Sequence, residues 1–114
     1  MDIMIIRASN HETAPVGHQP EFSKRVIVPG GILPGLLQFA TADFQTDDVI
    51  APHTHQTMAE VFYVLSGMLH LSGPSENHAL SAGDCFVVFP GVEHGITFLG
   101  PSKLLYFNLE MADL

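Results

Sequence analysis

Two histidines stand one residue apart in Pro52-His53-Thr54-His55, and Glu60 follows close behind. Residues i and i+2 of a strand point to the same face, so both imidazoles can reach one point. Glu60 opens the apolar run Val61 to Leu65, where strand alternation puts it on the face of Phe62 and Val64. A carboxylate aimed toward a core needs a partner, and a cation can supply one. His94 lies after Pro90-Gly91 and ahead of the apolar run Gly95 to Leu99. A His-x-His pair alone reads equally well as two polar residues at a solvated strand end. Glu60 and His94 tip the balance, because three imidazoles with one carboxylate suit a divalent first-row metal. Mn, Fe, Ni, Cu and Zn are all chemically acceptable, whereas Ca and Mg prefer oxygen ligands. Such a set leaves positions open for substrate, water or dioxygen; no catalytic residue is singled out beyond Glu60, which as a ligand could also accept a proton.

The elements that must position these residues are strands. Ten Gly and eight Pro break the chain at short intervals. Between the breaks lie runs rich in Val, Ile, Leu, Phe and Tyr: Leu36 to Phe44, Val61 to Leu65, Met68 to Leu71, Cys85 to Phe89, Gly95 to Leu99 and Leu104 to Leu109. No window sustains helical periodicity, and many short strands at regular spacing mean an all-β sandwich or barrel. Residues 8 to 21 read as an irregular arm and 29 to 35 as a loop. The expectation is one domain over 1–114, with 1–25 as an N-terminal arm or edge strands and a barrel core at about 36–109.

The spacing resembles that of the cupins, and in particular a small single-domain, RmlC-like cupin. Their first motif runs Gly, five residues, His-x-His, three or four residues, Glu, six residues, Gly. The chain supplies His53, His55, Glu60 and Gly67 in that spacing, with Asp47 at the first glycine position. Their second motif runs Gly, five residues, Pro-x-Gly, two residues, His, three residues, Asn. The chain supplies Gly83, Gly91 and His94, with Pro90 displaced by one and Phe98 at the Asn position. The resemblance implies a double-stranded β-helix, the jelly-roll barrel, with one metal per chain held by His53, His55, Glu60 and His94. It also implies a homodimer, with which the apolar run Ile3 to Ile6 agrees.

Alternate residues of the strands supply the remaining walls. Phe62, Val64, His70, Ile96, Phe98 and Tyr106 are the candidates, with Gln56 or Thr57 at the rim; His70 fits the outer sheet face equally well. Tyr106 could serve as an acid or donor, and Arg25 is the best single candidate for holding a substrate carboxylate. Tyr63 alternates outward. His11, His18 and His78 read as solvated, and the lone Cys85 as a buried strand thiol.

Four Lys plus Arg against twelve Asp plus Glu give a formal charge of -8, too acidic for a nucleic-acid partner or an anionic membrane surface. No signal-like or membrane-spanning run is present, so the expected compartment is the cytoplasm. Two functions compete. One is a metal-dependent enzyme of the oxygenase (dioxygenase or other oxidoreductase), isomerase, lyase or decarboxylase type, acting on a small apolar or enolisable molecule. The other is a non-enzymatic module that binds or senses a small ligand through the metal. The latter is motivated by the neighbourhood of the ligands, which offers no Lys, few candidate Tyr and no clear Asp partner.

Overall fold

Apolar residues at every second position bury one face of a strand and wet the other, a pattern clearest in the strands that hold Phe62 and Val64, Phe86 and Val88, and Leu104 and Tyr106. The structure is a computed structural model that describes residues 2–111. After a single 3-10 turn at Ala8–Asn10 come ten strands: β1 (Glu12–Val16), β2 (Gln19–Val28), β3 (Leu36–Phe44), β4 (Val49–His53), β5 (Met58–Ser66), β6 (Met68–Ser72), β7 (Asn77–Ser81), β8 (Cys85–Val88), β9 (His94–Phe98) and β10 (Ser102–Glu110). They form a six-stranded sheet, β1-β2-β3-β10-β5-β8, and a four-stranded sheet, β4-β9-β6-β7. From β3 onward the chain passes back and forth between the sheets, interrupted only by the β6–β7 hairpin. This is an all-β jelly-roll barrel.

The inward residues of both sheets meet in one core. Ala40, Ala42 and Phe44 of β3 face Ile50 of β4 and Ile96 and Phe98 of β9, while Phe62 and Val64 of β5 sit with Phe86, Val88, Leu104 and Tyr106. Phe44 and Phe98 stack at 4.1 Å between ring centroids and tie one sheet to the other. Phe98 therefore packs as core, with no exposed surface.

Three expectations are corrected here. Residues 8 to 21 do not form an irregular arm: most of them belong to the β1–β2 hairpin, with β1 at the sheet edge, and β2 pairs with β3 through Lys24↔Ala42 and Val26↔Ala40. Pro15 and Pro20 mask it, yet Pro15 lies on the edge strand β1 and Pro20 falls where β2 has no ladder partner, two places that tolerate a missing donor. Cys85 is exposed, not buried. Strand β8 turns Phe86 and Val88 inward and so leaves Cys85 and Val87 outward. Finally, β4 and β7 were not foreseen, because Pro52 and the polar Asn77-His78 pair weaken their patterns.

Two backbone positions explain how the chain turns. Gly67 joins β5 to β6 at φ 97°, and any Cβ there would strike Pro101 and Ser102. Asp47 occupies the position where the motif has glycine, and it keeps a left-handed φ of 70°. Aspartate tolerates that region better than most side chains, so the turn survives the change.

Candidate metal centre

Strand ends bring the four predicted ligands together. His53 closes β4, His55 lies two residues beyond, Glu60 is the third residue of β5 and His94 opens β9. His53 and His94 are direct cross-strand partners, while Glu60 reaches across from the other sheet. One donor atom from each lies within 4.8 Å of the others. His55 Nε2 is 3.1 Å and His94 Nε2 3.3 Å from Glu60 Oε1.

Hydrogen bonds behind the site fix which atoms face it. His53 Nδ1–H donates to the Ala51 carbonyl at 2.8 Å, and His94 Nδ1–H to the Val92 carbonyl at 3.0 Å. Each ring thereby presents the lone pair of Nε2, the form a metal takes. Asn108 Nδ2 donates to Glu60 Oε2 at 3.0 Å, and Gln38 Nε2 donates to Asn108 Oδ1 at 3.4 Å. That leaves Glu60 Oε1 to face the imidazoles. The Nε2 atoms of His53, His55 and His94 and Glu60 Oε1 are buried without hydrogen-bond geometry to any protein group. Four buried acceptor atoms aimed at one point are costly by themselves and fit a divalent cation between them.

The charges follow from burial and proximity. Burial pushes the Glu60 carboxyl up, but His94, His55 and the Asn108 hydrogen bond outweigh it and hold the group below the usual carboxylate range. Burial pulls His94 down, yet Glu60 and the Val92 carbonyl raise it above the usual imidazole value. Burial lowers His55 in spite of Glu60. Burial, then the charge of Glu60, push the Tyr106 phenol up to about 12. Tyr106 is thus a neutral donor at physiological pH.

The cluster lies on the wall of a cavity of about 150 Å³. Phe44, Ile50, Phe62, Ile96 and Leu104 make it mainly apolar, and His18, Lys24, Gln38, Tyr106 and Asn108 supply its other polar groups. Of the predicted wall residues, Phe62, Ile96 and Tyr106 line it. Val64 is fully buried but fills the core, as Phe98 does. His70 is a correction: it is exposed, because Leu69 turns inward and His70 pairs with Thr97 and Ala79 on the outer face. Gln56 and Thr57 are exposed, and Tyr63 does face outward.

Two functional candidates were missed. His18 is exposed, as expected, yet it stands at the β1–β2 turn on the cavity lining, with its ring 3.9 Å from His53 and 5.7 Å from His55. Burial, then the neighbouring His53, lower its pKa. Lys24 lines the cavity, whereas Arg25 points away and donates to the Ala8 carbonyl at 2.8 Å. The half-buried series Phe22, Lys24, Val26 carries the signal, a period of two that becomes readable once β2 is recognised as a strand. His11 is also half-buried, contrary to expectation, with Nδ1 unpartnered. His78 is exposed beside Glu76.

A two-sheet jelly-roll barrel with three imidazoles and a carboxylate converging inside it defines a class of single-site β-barrels. The chain belongs to the cupin family, whose Cupin domain model matches residues 40–109. It is similar in structure to KdgF from a Halomonas species, at 23% identity and a TM-score of 0.76, with 96% of each chain covered. It is also similar to a predicted oxalate decarboxylase from Thermotoga maritima, at 17% identity and a TM-score of 0.74, covering 95% of this chain and 100% of that one. A third similar structure is the hydroxypropylphosphonic acid epoxidase of S. wedmorenis, at 19% identity and a TM-score of 0.78; there 94% of this chain covers 59% of the other. No curated protein matches the sequence.

Proposed function

We propose that this cupin is a metal-dependent enzyme acting on a small molecule, of the oxygenase, isomerase, lyase or decarboxylase type. The observation that carries the reading is the set of four buried, unpartnered donor atoms on the wall of a cavity. His53, His55, Glu60 and His94 would hold the metal. Bound there, it would supply Lewis acidity or oxygen activation. The surrounding chain supplies the rest: an apolar wall that excludes water, Tyr106 as a neutral donor, and His18 and Lys24 near the mouth and wall. A cavity of about 150 Å³ admits roughly a benzene-sized guest.

The non-enzymatic alternative is motivated by a sparse acid/base neighbourhood, with no Lys, few candidate Tyr and no clear Asp beside the ligands. His18, Lys24 and Tyr106 in the cavity remove that motive. The names of two structural neighbours, a predicted oxalate decarboxylase and an epoxidase, support a catalytic use of the fold. An exposed free thiol, Cys85, suits a reducing compartment and so the cytoplasm. Among the described residues no helix is long and apolar enough to cross a membrane.

The test begins with metal content by mass spectrometry on protein without a polyhistidine tag. About one metal per chain, lost in His53→Ala/His94→Ala, supports the centre. Iron, manganese or copper directs the assay to oxygen uptake, and zinc or nickel to isomerase and lyase screens. A protein that takes up no metal after reconstitution overturns the reading.

A further inference from the structure

The chain has four Lys plus Arg residues in all, and one of them is spent on the cavity. Among the described residues, Lys103 is the only Lys or Arg beside a carboxylate, Asp43 at 3.9 Å. Lys24 has no such partner, although it is half-buried and shares the cavity with the metal cluster. Its neighbours across the strands are Ala14 and Ala42, which leave room beside the ammonium stem. An unpaired ammonium in a mainly apolar cavity is a cost that a bound anion offsets.

The neighbouring groups narrow the anion. Gln38 and Tyr106 are neutral, and no arginine lines the cavity to offer the two-pronged donor that suits phosphate. One ammonium with neutral donors in a cavity this small fits a monoanion. At the cluster, Glu60 Oε2 is engaged by Asn108, so the carboxylate offers a single oxygen and leaves positions for a ligand atom. Resting on the metal-centre reading above, we infer that the cavity binds small monocarboxylates, with Lys24 holding the carboxylate while another oxygen of the same molecule meets the metal position. Burial also pulls the Lys24 amine below the usual lysine range, a shift that a bound anion would reverse.

The test compares lactate with 1,2-propanediol, which share a carbon skeleton and differ in the carboxylate. Binding is followed by calorimetry on the full chain, with metal content measured on the same sample. Lactate should bind more tightly than the diol. Lys24→Gln should weaken lactate about tenfold or more, the loss expected of one charged hydrogen bond, and leave the diol unchanged. Lys24→Arg should restore most of the affinity. Lactate binding that is absent, no tighter than that of the diol, or indifferent to Lys24→Gln overturns the inference. The two readings fail separately. A chain that takes up no metal but binds lactate through Lys24 refutes the centre and supports the carboxylate site. A chain that holds a metal but binds lactate equally well in Lys24→Gln does the opposite.

Discussion

At the scale of single residues, Asn108 is the least conspicuous member of the site and one of the most consequential. It is buried, and its amide occupies Glu60 Oε2. Asn108→Ala frees that oxygen, and the carboxylate loses its aim. Metal affinity measured by chelator competition should fall about 10- to 100-fold, the usual cost of removing such a support, while the circular dichroism spectrum stays that of the wild type. Tyr106 offers a pH test. The chain has two tyrosines, so Tyr63→Phe leaves Tyr106 alone in an ultraviolet titration. Its midpoint in the metal-free protein should fall at about 12. The unfolded phenol ionises at about 10. Between these values the folded state binds more protons than the unfolded one. Tyr106 thus stabilises the fold fully below pH about 10, and that contribution is lost as pH rises toward about 12. A midpoint near the ordinary phenol value would refute the burial argument. The four candidate ligands were legible in the sequence because their types and intervals are unusual together. The sequence leaves His70 open between the two faces because a histidine between leucines matches either parity. The leucines, not the histidine, decide which face is inward.

At the scale of elements, turns and sheet-bridging rings carry the fold. Gly67→Ala meets both a left-handed φ and the backbone at Pro101 and Ser102. It should cost more than the roughly 1–2 kcal/mol of the left-handed conformation alone. Asp47→Gly removes a side chain from a left-handed backbone position and should be neutral or stabilising. Urea denaturation of both variants checks the contrast. Phe98→Ala removes a fully buried ring stacked on Phe44 and should cost about 3–5 kcal/mol by the same assay. The strands β3, β5, β6, β8, β9 and β10 were legible from apolar runs. The β1–β2 hairpin was not, since its prolines and polar residues mask a weak alternation. With it went His18 and Lys24, two residues that shape the cavity.

At the scale of the whole molecule, the outer face of the six-stranded sheet is unusually apolar. Tyr63, Leu65, Val87 and Phe89 are each more than two-fifths exposed there or at its edge. Val61 and Phe107 lie half-buried beside them. A patch of this kind on a small chain favours a partner, and a second copy of the same chain is the partner we propose. Light scattering should give twice the 12.4 kDa chain mass. Leu65→Asp/Val87→Asp should shift it toward the single mass without loss of metal. A wild-type monomer at high protein concentration would count against the dimer.

The position of β10 has a further consequence, for how the molecule comes into being. This strand is the latest of the ten in the chain, yet it lies between β3 and β5, near the middle of its sheet. During synthesis, β3 and β5 emerge first and wait with their inner edges unpaired. Neither the sheet nor the cavity can close until the final strand leaves the ribosome and inserts between them. Such a nascent chain exposes two sticky edges until β10 arrives. A nascent chain stalled before Ser102 should therefore be aggregation-prone and bind chaperones, whereas release of the last strand should let the barrel close in one step.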